Sequence, residues 1–180
     1  MILTRKLKFL TALIALPLTV QISPANPDDF TVRSATGTNT FKLSEAKVKF
    51  VALHFLLKTE CPYCIRHTHD YVKKSADDSQ VVHVFLKPDT DAEIKAWASK
   101  LGEDSLKVTI YRDPDAALAK AYNIPDGYKF HGQTVHYPAL VLLDANGKEI
   151  FRYVGKSNAD RLDYEKFSAK LKELTQSSPR

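Results

Sequence analysis

From Lys49 to Leu57 the chain reads Lys-Phe-Val-Ala-Leu-His-Phe-Leu-Leu, and a few residues later comes Cys61-Pro62-Tyr63-Cys64. A near-continuous apolar run of this length is the mark of a strand buried on both faces of a sheet. Pro62 to Lys74 reads as helix, with Pro62 in the first turn, where its missing N–H costs nothing. A strand that delivers Cys-x-x-Cys to a helix start sets the first sulfur beside unpaired N–H groups and a partial positive charge. Both favour thiolate over thiol. The second sulfur, one turn on, is placed to attack a mixed disulfide formed on the first and release the partner. Cys61 and Cys64 are the chain's two cysteines, and they are the candidate nucleophile and resolving thiol. A structural staple at this spacing closes a tiny loop and stabilises little. Metal binding is the other reading of the pair, and redox chemistry leads both.

Length and charge bound the rest. The chain has 180 residues, enough for one domain with a substantial core. Its start reads differently from that core. Arg5, Lys6 and Lys8 form a basic head, Phe9 to Val20 an apolar run, and Ser23-Pro24-Ala25 offers small residues for signal peptidase. Residues 1–25 are therefore expected to be a signal peptide and 26–180 the folded domain. A membrane anchor is the competing reading, but the apolar run falls short of the ~20 residues a spanning helix needs. Three of the 26 basic residues and none of the 21 acidic ones lie in the leader, so the formal +5 falls to +2 without it. The basic balance is partly an export signal and not a footprint for nucleic acid. Export implies a periplasmic or secreted location, no stable membrane insertion after cleavage, and an oxidising compartment.

Elements alternate along the domain. Phe30–Arg33 and Thr40–Leu43 suit a hairpin around Gly37. Val81–Leu86 is a second buried strand. Asp91–Leu101 is an amphipathic helix with Ile94, Trp97, Ala98 and Leu101 on one face and Gly102 as its stop. Val108–Tyr111 is a short strand, and Asp113–Tyr122 opens with a cap and a proline and reads as helix. Ala139–Leu143 and Glu149–Val154 flank Asp144-Ala-Asn-Gly147, a strong hairpin signal. Asp160–Leu174 is a last amphipathic helix, followed by a polar tail expected to fray. The expected class is α/β: a mixed central sheet flanked by helices on both faces, in three layers.

With these pieces in order, the chain resembles the thioredoxin-fold redoxin group, exported thiol–disulfide oxidoreductases and peroxiredoxin-like proteins among them. The likeness rests on the strand ending in Thr59-Glu60-Cys61-Pro62-Tyr63-Cys64, on Tyr137-Pro138-Ala139 before a strand, on Leu143 to Ile150, and on Arg152-Tyr153-Val154-Gly155. It implies a thioredoxin-like fold and thiol–disulfide exchange on exported protein thiols and disulfides, with an unidentified redox partner and no cofactor or resident metal. It also implies that Pro138 is preceded by a cis bond, faces the disulfide and leaves a backbone edge for substrate. Tyr63, His136, Tyr137 and Pro138 are then the substrate-facing candidates.

The chain departs from thioredoxins in two places. Glu60 stands where they carry Trp, and its carboxylate opposes thiolate formation at Cys61, while the helix dipole, Lys58 and His67 favour it. A Cys61 pKa below ~8.5 but above the ~3.5 of the strongest oxidants is expected, with Cys64 higher. No acid lies in the strand beneath the motif, and His54 is its nearest polar residue. That imidazole is either a proton relay for Cys64 or a bonded core histidine. The stretch between Pro125 and Pro138 carries Tyr128, Phe130, His131 and His136, either a substrate groove or a plain surface hairpin.

Two other functions compete. A thiol peroxidase with antioxidant activity would show a motif like Pro-x-x-x-Thr-x-x-Cys. Thr59 is one residue too close to Cys61, and the polarising arginine would have to be Arg66, Arg112 or Arg152. A Sco-like copper carrier would pair the two thiolates with His136, but such proteins resemble Cys-x-x-x-Cys and lack the proline. His67 and His69 read as helix-surface residues.

Overall fold

The computed structural model describes residues 27, 29–46, 50–58, 60–130 and 133–177; the expected signal peptide lies outside them. Among the described residues no helix is long and apolar enough to cross a membrane.

A five-stranded mixed sheet runs in the order β5-β4-β3-β8-β9. β3 (Phe50–Phe55) is its centre, parallel to β4 (Val81–Lys87) and antiparallel to β8 (Ala139–Asp144). β4 pairs in parallel with β5 (Ile110–Arg112), and β8 pairs antiparallel with β9 (Glu149–Val154). Every residue of β3 is buried, as its sequence requires. Side chains alternate across a strand, so Phe50 and Ala52 point into one core and Val51, Leu53 and Phe55 into the other. The first core is closed by α1 (Pro62–Lys74), α2 (Asp91–Ala98) and α4 (Tyr164–Ser177), with Tyr71, Ile94, Trp97 and Phe167 inside it. The second is closed by α3 (Ala117–Ala121) and the hairpin of β1 (Thr31–Arg33) and β2 (Thr40–Lys42). This is the three-layer α/β arrangement expected.

Several boundaries move, each for a local reason. α2 is set by a capping box of Thr90 and Glu93 and continues as a 3₁₀ segment, Ser99–Leu106, kinked at Gly102 with φ 57°. The helix expected from Asp113 opens as a 3₁₀ turn, Pro114–Ala116, and becomes α-helical only at Ala117. Asp113 reaches forward to accept the N–H groups of Leu118 and Ala119 at 2.7 and 3.0 Å. Asp115 and Ala116 take left-handed φ to allow it. α4 starts at Tyr164 because Asp163, not Asp160, caps it, accepting from Lys166 N–H at 2.8 Å. It runs on to Ser177, past the expected fraying point at Thr175. The segment after Pro125 folds as an outlying hairpin of β6 (Asp126–Phe130) and β7 (Gln133–His136).

Candidate active site

β3 ends at Phe55, and the chain turns sharply at Glu60, whose φ of 34° lies in the left-handed region. That turn presents Cys61 as the N-cap of α1, with Pro62 in the first turn. Cys61 and Cys64 form a disulfide, Cα atoms 5.2 Å apart. The Cys64 N–H donates to Cys61 Sγ at 3.1 Å, so a helix-terminal donor already faces the first sulfur. Cys61 keeps only 2 % of its surface and Cys64 none.

What lies against the sulfurs comes from the far end of the chain. Arg161 Nη2 stands 3.2 Å from Cys61 Sγ and 3.1 Å from Cys64 Sγ. It also donates to Asn158 Oδ1 at 3.2 Å, and that oxygen lies 3.1 Å from Cys61 Sγ. In the reduced pair the same oxygen is placed to accept a Cys61 thiol proton. The loop carrying both residues is pinned from several sides. Asp160 accepts from Lys156 N–H at 2.8 Å and from the Tyr153 hydroxyl. Gly155 N–H donates to Pro138 O at 2.8 Å, and the Tyr71 hydroxyl donates to Leu162 O at 3.1 Å. Nothing in the sequence marks Arg161. It sits in no motif, 97 residues beyond Cys64, and only the packing of α4 beside α1 brings it in.

His54 does not bond a sulfur. Strand alternation points it at α1, where its Nδ1 lies 2.9 Å from His67 Nε2 and its Nε2 lies 2.9 Å from His83 Nδ1. His67 is thus a half-buried partner of His54 and not a surface residue. Burial first, and then the Arg161 charge, hold its pKa down at about 3. It is neutral at neutral pH and supplies no positive charge to Cys61, contrary to the sequence expectation. Burial lowers His83 to about 4, and His54 is lowered by burial and then by its two histidine neighbours. His69 is half-buried as well, bonded to Asp104 Oδ2 at 2.6 Å.

The substrate-facing candidates divide. Tyr63, 37 % exposed, lines a groove of about 510 Å³ with Arg66, His67, Lys73 and Arg161. Pro138 shares a void of about 10 Å³ with His67, Tyr153 and Arg161, roughly the room one water needs. The bond before Pro138 is trans, because the described residues contain no cis peptide. His136 is buried at 3 %, with its Nδ1 2.7 Å from Tyr137 O and its ring against Phe55. With Lys58 it lines a separate depression of about 260 Å³ that Arg161 does not line. Tyr137 N–H donates to Pro125 O at 2.9 Å, and its ring packs against Gly127. The side chains of Tyr128 and Phe130, and all of His131, lie outside the described residues.

Comparison with known proteins agrees with this geometry. Among solved structures, the chain superposes on a secreted disulfide oxidoreductase of Mycobacterium tuberculosis homologous to E. coli DsbE. The TM-score is 0.59 at 19 % identity, over 80 % of this chain and 95 % of that one. It superposes on the exposed lipoprotein thioredoxin of Streptococcus pneumoniae with TM-score 0.58 at 23 % identity, covering 81 % and 98 %. The AhpC protein of Enterococcus faecalis gives TM-score 0.69 at 16 % identity, covering 86 % and 94 %. These likenesses establish the thioredoxin-like fold. No curated protein matches the sequence. The family model described as Redoxin matches residues 23–170, and the chain therefore belongs to the Redoxin family, carrying in its site a redox-active cysteine pair.

Proposed function

We propose that the protein is an exported thiol–disulfide oxidoreductase acting on protein thiols and disulfides through Cys61 and Cys64. The observation that carries this reading is the Cys61–Cys64 disulfide at the N-cap of α1, with a backbone donor and a guanidinium on its sulfurs. Cys61 exchanges with the partner and Cys64 resolves the mixed disulfide, because only Cys61 keeps any exposed surface. Tyr63 and Pro138 each line a cavity with Arg161, the residue that stands on both sulfurs, which supports their contact with substrate. Export rests on the basic head and apolar run of residues 1–25. The substrates are then exported proteins, and a separate redox protein recycles the pair.

Equilibration of the domain with glutathione buffers tests this. A reversible disulfide is expected, and its potential gives the direction: near −270 mV for a reductase, well above −200 mV for an oxidant or isomerase. Absence of any reversible disulfide sinks the proposal. A second reading, thiol peroxidase, gains from the arginine on Cys61 Sγ. Cys64→Ala separates the two. A peroxidase keeps its first peroxide-reducing step, whereas an exchange enzyme loses turnover.

A further inference from the structure

The geometry points to Arg161 as the catalytic cation of the dithiol, one fixed positive charge that holds Cys61 and Cys64 in turn as thiolates. The inference rests on the oxidoreductase reading above and adds what makes the buried pair reactive.

The problem it solves is one of solvation. Thiol–disulfide exchange proceeds through thiolates. In the resolving step the Cys64 thiolate attacks Cys61 Sγ, a Cys61–Cys64 bond forms, the bond from Cys61 to the partner sulfur breaks, and the partner leaves as thiolate. In the reverse step Cys64 departs with the electron pair. Either way Cys64 carries negative charge while wholly buried. Burial alone opposes that, pushing a thiol toward its neutral form. The helix N-terminus helps Cys61, which receives the Cys64 N–H. Among the described residues, Arg161 is the side chain that donates to Cys64 Sγ, at 3.1 Å.

A proton relay fits this site less well. Both ring nitrogens of His54 face other histidines, and His67 Nε2 is turned to His54. No acid lies within β3. Arginine neither takes nor gives a proton near neutrality. It therefore works as a fixed charge and not as a base. Its reach to both sulfurs, at 3.2 and 3.1 Å, lets the charge stay favourable as it passes from one to the other. Asn158 and the pinned loop keep the guanidinium in place without reorganisation.

The test titrates each thiol alone in the domain, Cys61 in Cys64→Ala and Cys64 in Cys61→Ala, by ultraviolet thiolate absorbance and by alkylation rate against pH. Arg161→Gln is expected to reduce the thiolate-to-thiol ratio at a given pH about 10- to 1,000-fold at both sulfurs, the range for a charge at this distance. Arg161→Lys is expected to restore most of it. In the dithiol protein Arg161→Gln is expected to lower the reduction potential by about 30 mV for each tenfold, because it destabilises the reduced form. Titrations unmoved by Arg161→Gln overturn the inference, and so does a shift at Cys61 alone. Should Arg161→Gln not fold, the unsubstituted Arg161 protein decides. A Cys64 midpoint at or above the ordinary ~8.5 overturns the inference, and one below supports it. Failure of the wild-type protein to exchange with oxidised glutathione would instead overturn the oxidoreductase reading itself, so the two failures are distinguishable.

Discussion

His54 Nδ1 lies 2.9 Å from His67 Nε2, joining the central strand to the helix that carries the cysteines. His54 Nε2 makes the same approach to His83, so three imidazoles form one chain across the sheet. Each link needs one donor and one acceptor nitrogen, which neutral rings supply and imidazolium rings do not. His54 is also stacked on Phe85 with centroids 4.4 Å apart, leaving little room for water.

Acid should therefore unfold this protein early. The folded pKa values are depressed, to about 4 for His83 and about 3 for His67, below the ordinary 6.5. The unfolded chain then binds protons first as pH falls. The stabilisation is complete above pH ~6.5 and drains away between there and pH ~3. His83 alone loses on the order of 3 kcal/mol by pH 4. Urea midpoints measured from pH 7.5 to 4 should fall steeply, and a flat profile would contradict the neutral chain.

Lys87 is a second buried device. Its Nζ donates to Leu57 O at 2.6 Å, pairs with Asp89 at 3.0 Å and sits 4.8 Å over the Trp97 ring, with no exposed surface. Lys87→Met removes the cation that faces Asp89 and the donor at the end of β3. A loss of about 3–5 kcal/mol is expected, as for one partner taken from a buried pair. Lys87→Met combined with Asp89→Asn should cost less than Lys87→Met alone. Denaturant unfolding of the three proteins checks the order.

Gly155 is fixed by space. A Cβ there would stand 2.0 Å from Asp160 O and 3.0 Å from Pro138 Cγ. The first contact is backbone, which no rotamer change relieves. Gly155→Ala should destabilise by about 1–3 kcal/mol and displace the loop that brings Arg161 to the sulfurs. Slower exchange with oxidised glutathione, beyond the stability loss, is the expected signature.

Cys64→Ala should accumulate a stable mixed disulfide on Cys61 when offered oxidised glutathione, visible by mass spectrometry. Cys61→Ala should accumulate little, because Cys64 has no exposed surface. Equal trapping by both variants would remove the division of roles between them.

The sheet was legible because its information is local. β3 and β4 are apolar runs, the β8–β9 turn is spelled by Asp144 to Gly147, and α1 carries its own proline signal. The two cysteines were legible for the same reason. The rest of the site depends on long-range packing, which residue type does not announce. His67 looks like any helix residue until His54 is seen to point at it, and Arg161 looks like a loop arginine until α4 docks. His136 shows the limit from the other side. Its place before Pro138 suggested a substrate contact, but it bonds Tyr137 O and is buried against Phe55. The helix after Asp113 was legible, but its opening 3₁₀ turn was not, because a cap residue can bond N–H groups five and six positions on and the sequence does not say which.

The reactive centre is assembled from two stretches separated by 97 residues. Synthesis from the N-terminus releases Cys61 and Cys64 well before Arg161 follows. Until the closing strand and α4 settle, the dithiol is an ordinary pair of thiols on an unfinished chain. On the Arg161 proposal, the charge that holds the thiolates reaches them only once the fold is complete.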